Sequence, residues 1–303
     1  MNFINILNHI LRPLEWVVAQ LLTLFHHALV TFGMTAGPSP AWGIAIMCLV
    51  LVIRICLLPL FLSQMRAMQR IQVLQPQIQR IQHKYAARKD PRSKEAMQRE
   101  IMALQQRYNA NPLGSCLPSL IQAPILCSLF YTLQSLPAIA DGNAEPLGGI
   151  DHTMAGDIES SSIFGVRIAD SFGTVASPQS RIIIGVAVAL MCLTLFAIQW
   201  MLIHRNTSKD AMVSPQFRVQ KMTVFVFPAI YVVSGATLPF GVLLYWLTNN
   251  LWNLGQTLCQ LRWFPTPGSA AGERKARRDY EQDNRRRAAA GLPSLEEERA
   301  MAA

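Results

Sequence analysis

The sequence predicts an all-α polytopic membrane protein: five transmembrane helices around a hydrophilic groove open to the cytoplasm, plus a cytoplasmic helical hairpin. Three observations predict it. Hydrophobic residues make up 51% of the 303 positions and charged residues only 15%, with a mean hydropathy of +0.25, where soluble domains carry about a quarter charged residues. Apolar stretches long enough to span a bilayer alternate with stretches dense in Lys and Arg. The basic excess also changes side at every crossing, as it does when Lys and Arg collect on the cytoplasmic face.

The elements follow in order. Residues 1–40 repeat Leu7, Leu11, Leu14, Val18, Leu21, Phe25, Leu29 and Phe32 at helical spacing, with Asn8, Glu15, His26 and His27 between them. We read an amphipathic helix lying in the interface rather than a sixth span. Gly37-Pro38-Ser39-Pro40 breaks the chain, and the first span covers 41–62 with Arg54 inside it. In 63–113 one stripe of Met65, Met68, Ile71, Leu74, Ile78 and Ile81 and a second of Met97, Ile101, Leu104 and Tyr108 predict a two-helix hairpin. Asp90-Pro91 marks its turn, and Pro76 kinks its first arm.

The second span covers 114–137, the third 181–203, and an extracytoplasmic loop, 138–180, joins them. Its pattern is uninformative except that Ser162–Ile168 reads as a stretch on the membrane surface. After a short cytoplasmic loop, 204–217, comes the apolar tract Met222–Leu261. As one helix it would run about 60 Å, twice the hydrocarbon thickness. The turn residues Gly235 to Pro239 divide it into a fourth span, 218–237, and a fifth, 238–262. The tail, 263–303, mixes charges with almost no apolar anchor and predicts a mobile segment.

Charge orients these pieces. Residues 64–110 hold ten Lys and Arg against Asp90, Glu95 and Glu100, a net of +7, whereas 138–180 holds six acids and one base, Arg167. Nine more bases follow Leu261. The N-terminus is therefore outside, and the hairpin and C-terminal tail are inside.

Arg54 is the sharpest feature. An Arg at the centre of a membrane helix costs roughly 2.5–3.5 kcal/mol on insertion scales, so it persists where it meets water, protein or a counter-charge. It lies eight residues before Leu62, about 12 Å from the inner end and too deep to reach the surface easily. No span contains an Asp or Glu to pair with it. Gln122, Gln199, Asn250, Asn253 and Gln256 all fall in the inner halves of their spans. Any one of them serves equally well as helix–helix glue, but together they describe a positively charged hollow open on one side.

Several classes are excluded or unsupported. There is no G-x-x-x-x-G-K-[ST], no H-E-x-x-H and no G-x-S-x-G, so the sequence offers no nucleotide, metalloprotease or serine-hydrolase site and is not read as an enzyme. No cofactor or metal is implied, and the six cysteines read as small buried hydrophobes. No aromatic-interleaved nucleic-acid motif accompanies the net charge of +9, so DNA is not a partner. A rival from another class is a small anion transporter or channel using Arg54. It would want polar residues through both membrane halves or an inverted repeat, and the sequence has neither.

The residues also resemble the YidC/Oxa/Alb membrane protein insertases over Ala41 to Leu261. The likeness rests on the lone Arg54, the basic hairpin with Leu74-Gln75-Pro76, the run Asn111 to Pro118 leading into Gln122-Ala123-Pro124, and Leu238-Pro239-Phe240-Gly241 through Asn250. Size and the missing large extracytoplasmic domain resemble the Gram-positive type. The resemblance implies a multi-pass protein of the bacterial cell membrane that inserts nascent membrane proteins into the lipid bilayer. It implies that Arg54 is the groove's positive centre, and that Gln199 and Trp246 line the groove with it. It further implies a hairpin that receives clients, a tail that contacts the ribosome, work alone or beside the Sec translocon, and no small-molecule substrate.

A blind hollow has a direct signature. Single cysteines at 54, 122, 199 and 250 in a Cys-free variant should react with a membrane-impermeant thiol reagent from the cytoplasmic side alone. Labelling from both sides would instead establish a pore or alternating access.

Overall fold

The structure, a computed structural model, describes residues 3–87, 90–108, 110, 117–209, 211–213 and 215–302. Most of the Asn111–Pro118 motif, residues 111–116, lies outside the described residues. Helix dominates. α1 spans Phe3–Thr31, and α2 spans Ala41–Cys56, 16 residues long. Pro59 has no amide hydrogen, and its ring would collide with the carbonyl of Ile55, so the helix cannot pass straight through. The Leu57 amide closes the last turn on Ile53 O at 2.9 Å, and α3 (Leu58–Val73) departs at 54°. The stretch 41–62, expected as one rod, is thus broken in its last third.

The same chemistry interrupts the chain at Leu74, just ahead of Pro76, before α4 (Gln75–Tyr85). α5 (Pro91–Arg107) starts at an Asp90 cap whose carboxylate accepts the Ser93 amide at 2.9 Å, with Pro at the first helical position. α6 runs Leu117–Ala140, and α7, His152–Ser160, is capped by Asp151. A two-stranded antiparallel hairpin follows, β1 (Ser162–Ile163) and β2 (Val166–Arg167). Then come α8 (Pro178–Arg205), α9 (Pro215–Thr237), α10 (Phe240–Trp263), α11 (Ala270–Ala289) and α12 (Leu295–Ala302).

Among the described residues four helical stretches are long and apolar enough to cross a membrane: Leu11–Thr31 in α1, Ile121–Ala140, Pro178–Arg205 and Phe217–Thr237. The bent pair α2–α3, taken as one span, makes a fifth. α1 thus meets the length of a span although the sequence reads as interfacial. α10 does not join the set, because Asn249, Asn250, Asn253 and Gln256 dilute its apolar run. Large apolar side chains stand exposed along α8 and α9, Ile182, Leu193, Phe225 and Val233 among them. A contiguous apolar exterior of this kind suits lipid rather than water.

The chain divides into two units. The first comprises Met1–Gln64, Leu113–Ile198 and Met222–Gly255; the second, Met65–Pro112, Gln199–Lys221 and Gln256–Ala303. The first unit's core is one-sided. Trp42, Ala45, Ile46 and Leu49 of α2, Leu129, Leu133, Leu136 and Ile139 of α6, and Phe240 to Tyr245 of α10 are buried, all toward the helix ends that neighbour α7 and the β-hairpin. Beyond Val50, α2 has no buried residue, and neither does α6 over 121–127.

The loop 138–180 supplies much of that closed end. Ile163, Val166 and Ile168 are core residues, so the Ser162–Ile168 stretch, expected on the membrane surface, also turns three side chains into the protein. That reading missed the strand alternation because each strand is two residues long. The carbonyls of Ile168 and Asp170 accept the Gly241 and Phe240 amides at 2.9 and 2.7 Å. They satisfy donors at the α10 N-terminus that no helical partner reaches.

In the second unit α4 and α5 pack antiparallel. Lys84 meets Glu100 at 2.8 Å near the turn, while Leu74, Ile78 and Ala110 cluster farther along with Ile101 and Leu104. Their mutual hydrogen bond holds the Glu100 carboxyl below and the Lys84 ammonium above their ordinary values. The tail departs from expectation, since it is helical. The Ser269 side chain caps α11 by accepting from Gly272, and Lys275–Asp279 and Arg277–Glu281 pair one turn apart. Thr266 N–H donates to Asn206 Oδ1 at 2.9 Å, and Lys209 meets Glu273 at 3.0 Å, so polar contacts replace the apolar anchor the segment lacks.

Gly43 of α2 packs so close to Ile163 that a Cβ there would overlap the Ile163 Cδ1 atom. Gly43→Ala should therefore cost roughly 1–3 kcal/mol through overpacking. Adding Ile163→Val, which removes that atom, should restore part of the loss in thermal unfolding in detergent.

Candidate functional site

Arg54 is half-buried on α2, just below the last fully buried residues of that helix, Leu49 and Val50. Its Nε donates to Asn249 Oδ1 at 2.8 Å, and Nη2 donates to the same oxygen. The sequence reading that left Arg54 without a partner is corrected here. That search covered acids, whereas the acceptor is the neutral carbonyl of an amide on α10. The difference matters electrostatically: a carboxylate would cancel the charge, and an amide satisfies donors while leaving it whole.

One turn before Asn249, Tyr245 is 2% exposed, and its hydroxyl accepts from Gln122 Nε2 of α6. Tyr245 also lies within electrostatic reach of the guanidinium. Gln122 is thereby drawn to the same place as Arg54, as expected from its depth in the second span. Its Oε1 is buried with no partner, and so is the Asn250 Nδ2. Asn250 is 2% exposed and interacts with the side chain of Tyr231 of α9. Trp246 is half-buried and stacks on Tyr231, ring centroids 4.9 Å apart. Asn253 is half-buried one turn beyond Asn249.

Arg54, Gln122, Trp246, Asn250 and Asn253 thus belong to one unit, on α2, α6 and α10. Gln199, half-buried near the end of α8, falls in the other unit and is described apart from them. Tyr245 and Asn249 are the residues that sequence reasoning missed. Their signal was present as Tyr245-x-x-x-Asn249-x-x-x-Asn253, a polar stripe with a period of four along a membrane helix. Among the described residues no cluster of His, Cys, Asp or Glu could hold a metal ion.

Chemically, the cluster offers one whole positive charge, a replaceable neutral acceptor and two orphaned amide atoms. A carboxylate arriving at Arg54 would exchange with the Asn249 oxygen, and the donors would not pass through an unbonded state.

Comparison with known proteins bears on what such a site serves. The family model described as 60Kd inner membrane protein matches residues 34–266. The chain belongs to the 60Kd inner membrane protein family. A relative from Bifidobacterium longum named membrane protein insertase YidC is 44% identical over 299 residues, which is 98% of this chain and 88% of that one. A protein of the same name from Streptomyces avermitilis is 34% identical over 88% of this chain, which spans 61% of its length. A solved structure titled active YidC insertase, with its first transmembrane domain resolved, aligns at a TM-score of 0.48 and 23% identity over 82% of this chain and 46% of that one. The YidC/Oxa/Alb resemblance read from Arg54 and the motifs of α6 and α10 is borne out as family membership.

The pairing of Arg54 with Asn249 is open to a double-mutant cycle. Asn249→Leu should cost about 1.5–3 kcal/mol, the range for a hydrogen bond to a charged group. Arg54→Met with Asn249→Leu should recover much of it in thermal unfolding in detergent, because both polar partners then leave together.

Proposed function

We propose that this chain is a membrane protein insertase that moves nascent membrane proteins into the bilayer through a hydrophilic, positively charged groove centred on Arg54. The observation that carries the mechanism is a guanidinium whose hydrogen bonds go to a neutral amide, placed where an apolar core gives way to exposed helix ends. The closed end is a seal toward the outside, and the open end admits water and client from the cytoplasm. Arg54, Gln122, Asn250, Asn253 and Trp246 line the groove, with α10 as the fifth span. The N-terminus is outside and the C-terminus cytoplasmic, following the basic excess of 64–110 and the tail.

The client's short extracytoplasmic tail, acidic ones above all, enters the groove and exchanges with Asn249 for the Arg54 donors. Its apolar helix then slides into lipid along the protein's exterior. Nucleotide hydrolysis is unnecessary. Leu, Ile, Phe and Val each contribute roughly −0.3 to −0.6 kcal/mol on insertion, so 20 such residues supply on the order of −6 to −12 kcal/mol. An inside-negative potential adds about 2.3 kcal/mol per outward-moving negative charge per 100 mV. The protein lowers a barrier and supplies no fuel.

The α4–α5 pair receives clients, the basic helix α11 reaches the ribosome, and the protein works alone or beside the Sec translocon. The anion transporter or channel reading has no support among the relatives, which carry the insertase name.

Arg54→Ala should reduce insertion of acidic-tailed clients several-fold in reconstituted vesicles, while Arg54→Lys, which keeps the charge, should largely preserve it. Equal activity of the Ala variant on acidic and neutral tails would remove the electrostatic step.

A further inference from the structure

The β1–β2 connection is a two-residue turn, since Ile163 pairs directly with Val166. Its central residues are Phe164 and Gly165, with φ of 55° and 82°. Positive φ at both positions is the geometry that matches strand twist in tight hairpins, and it favours Asn-Gly or Gly-Gly. Among the described residues Phe164 is the one non-glycine residue with positive φ. A bulky aromatic in left-handed backbone is an outlier that local sterics oppose. Phe164 gains nothing inside the protein to offset this, for it is 79% exposed while Ile163, Val166 and Ile168 on either side are buried.

The turn is also tethered. Ser180, in the first turn of α8, donates its hydroxyl to the Gly165 carbonyl at 3.1 Å. Phe164 is the adjacent residue, its Cα about 3.8 Å from that of Gly165. The ring is therefore held level with the start of α8. Below that level Ile182, Val186, Leu190 and Leu193 form one exposed apolar stripe along the helix. Beside the turn stand Arg181, exposed with its Nε on the Val175 carbonyl, and Arg167, which is paired with Asp170. An exposed aromatic next to cations, at the level where a lipid-facing stripe begins, has the make-up of a membrane-interface girdle.

We propose that the Phe164–Gly165 turn is a membrane anchor, with the Phe164 ring seated at the headgroup–acyl boundary beside the first turn of α8. The hairpin's buried side closes the core while its tip grips the lipid surface. This rests on α8 crossing the membrane, and the test separates the two.

In a Cys-free full-length chain, Phe164→Cys and, separately, Ile182→Cys are labelled with an environment-sensitive fluorophore. Each is reconstituted into phosphatidylethanolamine/phosphatidylglycerol vesicles, after confirmation that its thermal midpoint matches the parent. The anchor predicts that the label at 164 is quenched at least twofold more by a nitroxide high on the lipid acyl chain than by one near the chain end, and only weakly by aqueous iodide. Quenching by iodide without lipid quenching would overturn the proposal, and so would protection from both, which would mean that protein covers the tip. Position 182 reports on α8. Lipid quenching at 182 but not at 164 would sink the anchor alone, whereas loss of lipid quenching at both would sink the α8 span with it.

Discussion

An arginine inside an apolar helix needs its donors satisfied, and whatever satisfies them decides what the charge can do. A carboxylate would hold Arg54 firmly and leave a neutral pair. The oxygen of Asn249 holds it with two donors from one guanidinium and leaves a full unit of charge in place. Much of the first unit follows from this. α10 must bring Asn249 to face α2, which sets Tyr245 one turn earlier against Gln122 of α6. The same amides lower the apolar content of α10 below that of α8 or α9, so α10 needs protein neighbours where the other two face outward.

The packing around that contact is lopsided, and the lopsidedness has a source in the chain. The loop between α6 and α8 folds back so that Ile163, Val166 and Ile168 enter the core, and its carbonyls take up the free amides at the start of α10. Gly43 and Gly241 let these elements approach α2 and α10 more closely than any side chain would allow. One end of the helices is therefore filled by loop as well as helix. Toward the other end, α2 breaks at Leu57, and no residue of α6 over 121–127 is buried. Arg54 lies just past this filled end, where the buried run of α2 stops at Val50.

Some of this was legible in the sequence. Arg54 announced itself because a charge in hydrocarbon is costly wherever it falls. The split between α9 and α10 followed from Leu238-Pro239, and the antiparallel α4–α5 pair from two apolar stripes around Asp90-Pro91. Asn249 was not legible as the partner, because a neutral acceptor leaves no charge pattern and three asparagines lie within one turn and a half of α10. The β-hairpin hid for a different reason, since two-residue strands are too short to show alternation. The tail misled because stability there comes from a capping serine and ion pairs spaced one turn apart, which hydrophobicity does not register. The break at Leu57 follows from Pro59, yet the apolar run continues across it and reads as a single span.

That break carries a further consequence. Sixteen residues of α2 rise about 24 Å, against a hydrocarbon layer of about 30 Å. α2 alone is too short to match the bilayer, and the deficit falls at its arginine end, where a span has to continue around the 54° bend into α3. Under the proposed function, lipid beside such a bend compresses or lets headgroups and water descend, at a fraction of a kcal/mol per Å. Bilayer thickness then becomes a physical variable of the proposed insertion, with longer acyl chains opposing the deformation that would bring water toward Arg54.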